Sequence, residues 1–435
     1  MTTTIEWPKS IWADVTPART PAPPLEGEKQ AEVIVIGGGF SGLSTALHLA
    51  KRGRQVLLLE AMAVGWGASG RNNGQVIPTM SAAEPDQFVE RFGETGERMA
   101  RLIGQSAEYL FRLVEAEGID CEAEQTGWFQ PAHSPGRIKL SEKRVEAWRR
   151  YGSPAELLDR EAARKLLGSD FWYGGMLNPT GGHINPLALA RGLAAACERY
   201  GVTLHETSPV TGYAREGDGW RVRTPKGSVR ARAVVLATNA YTDAINERLE
   251  TRISRQIVTI LSWQMASEPL GDNIRATVVP GRQAVSDTRA DLRFFRYDAR
   301  NRFITGGSVL GSRNAEARVV ARTTENITQA FPQLKGIRFT HVWSGRIGIT
   351  QDRFPHFHRL GSDFWSWTGC NGRGVALSVA LGRELAAAVD GVSPKELALP
   401  LTEPEPIPFH PIAKRIAPLI LAWYKRRDFA ELKLD

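Results

Sequence analysis

Three glycines near the start of the chain have the spacing of a phosphate-binding turn. Gly37, Gly39 and Gly42 form a G-x-G-x-x-G pattern between a short apolar stretch and a stretch with helical periodicity. The first glycine permits a tight turn, the second lets a pyrophosphate approach the backbone, and the third lets helix and strand pack closely. The N–H groups at the start of the helix would then face the phosphates.

An acidic residue completes the pattern. Glu60 lies 18 residues after Gly42, at the end of a second apolar stretch. Its carboxylate can accept hydrogen bonds from both ribose hydroxyls and would repel a 2′-phosphate. A glycine turn alone occurs in many α/β proteins. Here a strand at 31–36, a helix at 43–52 and a strand at 55–60 together predict a dinucleotide-binding βαβ unit that does not take NADP.

The segment after Glu60 separates FAD from NAD. Residues 61–75 read A-M-A-V-G-W-G-A-S-G-R-N-N-G-Q, a run of small residues mixed with hydrogen-bond donors. Such a loop can lie along a pyrophosphate, a ribityl chain and one edge of a flavin ring. A domain that binds only NAD does not need such a loop. The structural alternative is an ordinary glycine-rich loop without a binding role, and we interpret the segment as part of an FAD site.

These motifs resemble the superfamily of FAD-dependent D-amino-acid, glycine and sarcosine oxidases. The order and spacing agree over about residues 30–395. The segments that carry the likeness are Val33–Gly39, Gly67–Asn72, Gly182–Pro186, Val234–Ala240 and Trp367–Val375. Within the superfamily the chain is most similar to the bacterial γ-glutamylputrescine oxidases. That closer likeness is carried by Gly67–Gln75, Gly181–Ile184, Phe331–Gly336 and Val342–Gly345.

The resemblance implies an α/β fold with an α+β substrate domain. A Rossmann-like FAD-binding domain would join a second domain built on a large mixed or antiparallel sheet, and both would be discontinuous in sequence. The expected divisions are an N-terminal arm at 1–30, the FAD-binding domain at 31–85, 186–245 and 340–395, the substrate domain at 86–185 and 246–339, and a C-terminal tail at 396–435.

The resemblance also implies the cofactor residues. They are Gly37, Gly39, Phe40, Ser41, Gly42, Glu60, Ala61, Gly67, Ala68, Ser69, Arg71, Asn72, Asn73, Gly74, Val210, Asn239, Gly372, Arg373, Gly374 and Val375. The Gly372–Val375 turn opens a second helix, whose N–H groups would stabilise negative charge near N1 and the C2 carbonyl of reduced flavin. Arg373 would add to this effect, unless it is a surface arginine on a glycine turn.

We expect FAD to be bound non-covalently. In sarcosine oxidases the anchoring cysteine lies in the segment corresponding to about Arg346–Asp352, and this chain has no cysteine there. Cys370 is therefore expected to be a small packing residue.

The chemistry implied is oxidation of the CH–NH bond of a small, γ-glutamylputrescine-like amine. A hydride would pass to the flavin, the imine would be hydrolysed to an aldehyde, and oxygen would be the acceptor. The candidate catalytic residues are His183, Trp343 and Arg346. Trp343 could pack on a methylene chain or a cation, and Arg346 could bind a carboxylate bidentately. Each has a structural alternative: a buried histidine, a core tryptophan and an ion-paired arginine.

Other substrates and functions stay open at this point. Gln264 is a weaker candidate for substrate contact, and Arg293 or Arg296 could serve an amino-acid carboxylate as well as Arg346. One alternative is a D-amino-acid or secondary-amino-acid dehydrogenase that passes electrons to a quinone or another carrier. Another is a non-catalytic flavin-binding protein. The oligomeric state is not determined by the sequence.

The composition of the chain bears on its binding partners and its location in the cell. The 435 residues include 55 Lys plus Arg and 47 Asp plus Glu, a net charge of +8, without a basic stripe that would predict nucleic-acid binding. Three well-separated cysteines form neither a disulfide framework nor a metal site, which with the absence of a signal-peptide pattern predicts a cytoplasmic protein. The basic and apolar tail, Lys414–Arg427, predicts either a docked helix or weak contact with an anionic membrane surface.

Overall fold

The computed structural model describes residues 6–416 together with Leu419 and Arg426. Its helices are α1 Ile11–Val15, α2 Phe40–Lys51, α3 Pro85–Phe92, α4 Glu94–Ala116, α5 Ile138–Arg150, α6 Arg160–Leu167, α7 Pro186–Arg199, α8 Thr242–Ile245, α9 Thr251–Ser254, α10 Asp272–Arg275, α11 Ala315–Ala330 and α12 Gly374–Val389. Short 3-10 turns lie at Ala68–Gly70, Pro135–Arg137, Asn239–Tyr241 and Pro332–Leu334.

Most strands of the described residues belong to two large sheets. In chain order they are β1 Gly27–Ile36, β2 Val56–Leu59, β3 Gln75–Val76, β4 Trp128–Pro131, β5 Glu156–Leu158, β6 Gly175–Asn178, β7 Gly182–His183, β8 Thr203–His205, β9 Gly212–Glu216, β10 Gly219–Arg223, β11 Gly227–Leu236, β12 Ile257–Pro269, β13 Ala284–Ser286, β14 Phe294–Tyr297, β15 Arg302–Gly307, β16 Phe339–Thr350, β17 His356–Gly361, β18 Phe364–Thr368 and β19 Leu401–Thr402.

The first sheet has the architecture of a Rossmann-like domain. Its strands follow the order β19-β17-β18-β11-β1-β2-β8, with β10 and β9 added beside β11. The five strands β8, β2, β1, β11 and β18 pair in parallel. Ile36 lies level with Leu59 on one side and Leu236 on the other, so these strands end at one edge of the sheet. Helices α2, α7 and α12 share the core cluster on one face of it.

The second sheet is mixed and mostly antiparallel, as the sequence predicts. Its order is β16-β12-β15-β14-β13-β4-β6-β5. The α/β fold class is therefore confirmed. One boundary differs from the expected divisions: residues 340–350, predicted within the FAD-binding stretch, lie in this second sheet. The reason is the long antiparallel ladder between β12 and β16, which runs from Ile257–Thr350 to Ser267–Phe339.

The N-terminal arm is docked onto the body along much of its length. Helix α1 buries Trp12 completely, and the Trp12 Nε1–H donates to the carbonyl oxygen of Asn72 at 2.9 Å. The Arg296 guanidinium lies 4.7 Å from the Trp12 ring centroid. Arg19 forms an ion pair with Glu206 at 2.5 Å. The arm thus holds the loop that follows Glu60 in place.

The predicted tail falls partly outside the described residues, because positions 417, 418, 420–425 and 427–435 are not among them. Within the described ranges, no helix combines the length and apolar character required to cross a bilayer.

Replacing Trp12 tests whether the docked N-terminal arm stabilises the protein. We expect Trp12→Ala to lower the free energy of unfolding by about 3–5 kcal/mol, since it opens a large buried cavity. Trp12→Phe keeps most of the packing but leaves the Asn72 carbonyl without its donor, a loss of about 1–3 kcal/mol. Urea unfolding of the FAD-loaded protein measures both, with the half-exposed Tyr200→Ala as a surface control. A Trp12→Ala protein as stable as this control would show that the arm does not contribute.

Candidate active site

A long cleft lies at the edge where the parallel strands of the first sheet end. It encloses about 1830 Å³ of space, counting its open mouth. Most residues predicted to hold the cofactor line it: Gly37, Gly39, Phe40, Ser41, Glu60, Ala61, Gly67, Ala68, Ser69, Asn72, Asn73, Gly74, Val210, Asn239, Gly372, Arg373, Gly374 and Val375. Segments from widely separated parts of the chain therefore meet in one place, as expected at the carboxyl ends of parallel strands.

The glycine turn brings helix α2 very close to strand β1. Gly37 has a φ of 112°, and a Cβ there would lie 2.8 Å from the carbonyl oxygen of Ala237. A Cβ at Gly42 would collide with the carbonyl oxygen of Gly37. Gly42 does not line the cleft itself. Its task is to let α2 approach the strand, so that the N-terminus of α2 opens into the cleft beside Gly39.

Glu60 is held in place by the backbone. Its Oε2 accepts from the Gly38 N–H at 2.6 Å, and its Oε1 accepts from the Met62 N–H at 2.8 Å. Burial raises the pKa of Glu60, while these backbone hydrogen bonds act in the opposite direction. The carboxylate faces the cleft at the end of β2 with further lone pairs free to accept from hydroxyl groups.

The loop after Glu60 is tied to the start of helix α2. Ser69 Oγ accepts from the Phe40 N–H at 3.0 Å, at the N-terminus of α2. The Oδ1 atoms of Asn73 and Asn239 are buried and have no hydrogen-bond partner among the described protein residues. Both asparagines line the cleft. Buried polar atoms of this kind normally have a partner, so they point to a bound polar group.

Arg373 brings a buried positive charge to the start of α12. It is 5% exposed, and its Nη1 donates to Ser286 Oγ at 3.1 Å. Its Nε has no partner among the described residues. Burial, with a smaller effect from Arg144, lowers the pKa of Arg373 to about 9. Within the described part of the chain Arg373 has no ion pair, since the neighbouring Glu84 pairs with Arg144 at 2.8 Å. A buried, unpaired guanidinium favours an anionic ligand.

Arg346 lies near the mouth of the same cleft. Its guanidinium is 5.9 Å from the Tyr241 ring centroid and 3.8 Å from Asp243 Oδ1, a long ion pair. The side chain is 40% exposed. Since the contact with Asp243 is loose, the guanidinium can still donate to a ligand.

His183 is placed away from the cleft. It is completely buried, and its Nε2 donates to the carbonyl oxygen of Arg282 at 3.0 Å. Burial and the charge of Arg296 keep the pKa of His183 well below its ordinary value. The imidazole is therefore neutral and supports the pairing of β3 with β7 behind the cofactor loop. The geometry gives it no contact with a molecule in the cleft.

Trp343 and Arg71 form a second group outside the lining. The Trp343 Nε1–H donates to the Arg71 carbonyl oxygen at 2.7 Å, and the ring packs edge-on against Trp12. The Arg71 guanidinium stacks over Trp66 at 4.2 Å, and its Nε–H donates to the Trp66 carbonyl oxygen. Trp66 and Tyr241, on which Arg71 stacks, do line the cleft. Arg71 and Trp343 therefore lie outside the lining and support the residues that form it.

The two other arginines that kept an amino-acid substrate open are occupied elsewhere. Arg296 is buried and donates to the carbonyl oxygens of Asn73, Ile184 and Tyr297 at 2.8–2.9 Å. Arg293 donates to Asn326 and Gln329 on helix α11. Neither lines the cleft.

The rest of the cleft lining comes mostly from residues that were not predicted from the sequence. They are Trp66, Gln75, Tyr241, Ser262, Ser286, Leu292, Phe294 and Trp367, joined by the weak candidate Gln264. Gln264 Oε1 accepts from Asn73 Nδ2 at 3.3 Å, which links the second sheet to the cofactor loop. Trp66, Gln75, Tyr241 and Trp367 flank or belong to segments that the sequence singles out, and they could have been included on that ground. Ser262, Ser286, Leu292 and Phe294 carry no local signal, because the strands of the second sheet and their connections bring them to the cleft.

Comparison with known proteins agrees with this geometry. A family model described as FAD dependent oxidoreductase, DAO, matches residues 32–388. The chain belongs to the DAO family of FAD-dependent oxidoreductases. It is 33% identical to the γ-glutamylputrescine oxidoreductase of Escherichia coli K12, covering 83% of this chain and 84% of that protein. It is also 33% identical to a probable oxidoreductase, OrdL, of Haemophilus influenzae, covering 85% of each.

Solved structures share the fold of this DAO-family protein. L-proline dehydrogenase from P. horikoshii aligns with a TM-score of 0.70 and 22% identity, over 83% of this chain and 94% of that one. Glycine oxidase from Geobacillus kaustophilus aligns with a TM-score of 0.68 and 21% identity, over 83% and 95%. The predicted superfamily is confirmed.

The residues present fit FAD. The two helix N-termini, the Glu60 carboxylate and the two unpartnered asparagine oxygens lie along one cleft. They supply the anion-binding ends, the hydroxyl acceptor and the polar contacts that a dinucleotide needs. Cys370 also lines the cleft, and burial raises the pKa of its thiol. A protonated thiol is a weak nucleophile, which favours the predicted non-covalent binding.

Adding a methyl group at Gly42 tests the close approach of α2. We expect Gly42→Ala to lower FAD affinity at least tenfold, because overpacking of about 1–3 kcal/mol pushes the helix away from the strand. Flavin fluorescence gives the dissociation constant. Gly212→Ala is the matched control, since a Cβ there meets open space. Equal FAD affinity in the two variants would contradict the role assigned to Gly42.

Proposed function

We propose that this protein oxidises a γ-glutamylputrescine-like amine, with oxygen as the electron acceptor. The observation that carries the proposal is the charge pattern of the cleft. Only Glu60, Arg346 and Arg373 are charged among its described lining residues, and Glu60 is the residue predicted to bind the ribose. The remaining charge is positive, so the substrate end suits a molecule that carries a carboxylate. The identity to the γ-glutamylputrescine oxidoreductase of Escherichia coli supports the same class.

The lining favours direct hydride transfer. When bound, FAD accepts a hydride equivalent from the carbon beside the amine nitrogen. This requires a neutral amine, and nearby positive charges lower the pKa of an ammonium group. The buried Arg373 would provide that charge. No histidine or lysine lines the described cleft, which fits hydride transfer from a neutral amine without a side-chain base. The imine product would be hydrolysed to an aldehyde and a smaller amine or ammonia.

Arg346 is proposed to anchor the carboxylate of the γ-glutamyl group. Its loose contact with Asp243 leaves donors available, and a guanidinium binds a carboxylate through two parallel hydrogen bonds. Tyr241, Phe294 and Leu292 line the cleft and would pack against the methylene chain. Free putrescine lacks the carboxylate and carries two positive charges, so it should bind poorly.

A second candidate is an amino-acid dehydrogenase. The buried, unpaired Arg373 favours it, because this guanidinium could hold the carboxylate of a D-amino or secondary amino acid close to the reacting carbon. Such an enzyme would pass electrons to a quinone or another carrier. The free thiols of all three cysteines fit our proposal of a cytoplasmic location for either enzyme.

An anaerobic titration separates these functions. The absorbance of the FAD-loaded protein is followed while γ-glutamyl amines, polyamines, secondary amines and D-amino acids are added in turn. We expect γ-glutamylputrescine to bleach the flavin and air to restore it rapidly. Bleaching by an amino acid with slow recovery in air would favour the dehydrogenase. A flavin that no amine bleaches would refute the proposed oxidation.

Removing the Arg346 guanidinium tests the anchor. We expect Arg346→Ala to raise KM for γ-glutamylputrescine by about 10- to 100-fold, the loss of a charge-assisted hydrogen bond, with a smaller change in kcat. Activity on putrescine should not fall. Steady-state kinetics measures both, with Arg338→Ala as a control that breaks a surface ion pair with Glu268. Equal losses on both amines would show that Arg346 does not read the carboxylate.

A further inference from the structure

An apolar stripe faces solvent near the C-terminal end of the described residues. Phe409, Ile412, Ile416 and Leu419 are 80%, 56%, 45% and 68% exposed. Residues 410–416 are helical, and Ile412 and Ile416, four residues apart, lie on one side of this helix. Phe409 lies in the turn before the helix, and Leu419 lies three residues after Ile416. Such contiguous apolar surface on a folded protein marks an interaction site.

The opposite side of this segment is attached to the body. His410 is buried, and its Nε2–H donates to the carbonyl oxygen of Ile257 at 2.8 Å. Lys414 Nζ forms an ion pair with Asp243 at 2.7 Å. These contacts fix the rotation of the helix, so the apolar stripe is presented outward.

The segment that carries the stripe is positively charged. Residues 406–427 contain five lysines and arginines and no acidic residue, while Glu403 and Glu405 precede this range and Asp428 follows it. Arg415 and Arg426 are exposed in the structure. A second copy of this chain would bring two positively charged surfaces together, which opposes self-association through this face. An anionic lipid surface supplies both the opposite charge and an apolar layer.

We propose that the stripe and its flanking arginines dock the protein on the surface of an anionic membrane. The same ion-pair cluster connects this face to the active site, because Asp243 contacts both Lys414 and Arg346. Leu261 pairs opposite Arg346 on β12 and is 54% exposed, so an apolar side chain also faces solvent beside this arginine. Docking would therefore bring the mouth of the cleft next to the bilayer. This inference does not depend on the identity of the amine.

Vesicle sedimentation of the full-length, FAD-loaded protein tests the proposal. We expect it to sediment with vesicles of phosphatidylcholine mixed with phosphatidylglycerol, and not with phosphatidylcholine alone. Binding should weaken as salt concentration rises, because exposed charges are screened. Absence of binding to the mixed vesicles at low salt would overturn the proposal.

Matched variants assign the binding to this face. We expect Phe409→Ser combined with Ile412→Ser to lower vesicle affinity at least tenfold. Arg415→Glu should lower it by roughly tenfold or more, through the loss of one positive and the gain of one negative charge. The controls are Leu157→Ser and Lys335→Glu, which alter exposed apolar and basic residues elsewhere.

Amine oxidation with a dissolved acceptor should be unchanged in all of these variants, which separates a docking defect from a folding defect. Equal vesicle affinity in the face variants and their controls would refute the assignment. A dimer that the face variants dissociate, without vesicle binding by the wild type, would identify the stripe as a self-association surface and overturn the membrane proposal.

Discussion

The close contact between helix α2 and strand β1 is the constraint on which the rest of the structure depends. With hydrogen atoms in place of side chains at Gly37 and Gly42, the helix can start directly at the end of the strand. Its N-terminal N–H groups then open into the cleft. A helix displaced outward would carry Phe40 away from Ser69 and loosen the loop that follows Glu60. The cofactor half of the site is therefore built outward from one turn of backbone.

The parts of this site that could be predicted are those with local causes. A tight turn demands glycine, and a ribose-binding carboxylate must follow the second strand. The roles of Gly39 and Glu60 can therefore be predicted from their spacing in the sequence. The first sheet was predictable for the same reason, since buried parallel strands are continuous apolar runs such as Val33–Ile36. The family resemblance extended this reasoning to the Gly372–Val375 turn.

The rest depends on contacts between distant parts of the chain. Ser286 and Gln264 reach the cleft only because β13 and β12 occupy particular places in the second sheet. His183 stands in a recognisable segment, yet the pairing of β7 with β3 turns it away from the cleft. The β12–β16 ladder likewise moves residues 340–350 across the expected domain boundary. Neither spacing nor residue type contains this information.

The arginines show how similar residues acquire different tasks. Arg296 donates hydrogen bonds to three backbone carbonyl oxygens and has a structural role. Arg373 is as deeply buried but has few partners, and Arg346 is half-exposed with one loose partner. Only the last two have donors left for a ligand. Function here follows from unused hydrogen-bonding capacity.

The docked N-terminal arm also governs the order of assembly. Trp12 packs against Trp343, and Asp14 meets His341 at 2.8 Å, more than 300 residues further along the chain. During synthesis these residues emerge first and find their partners last. Contacts of such long sequence separation form late, because the intervening chain must be ordered before they are gained. We therefore expect the arm to dock on the loop at Asn72 only after both sheets have folded. In an incomplete chain the arm would remain undocked.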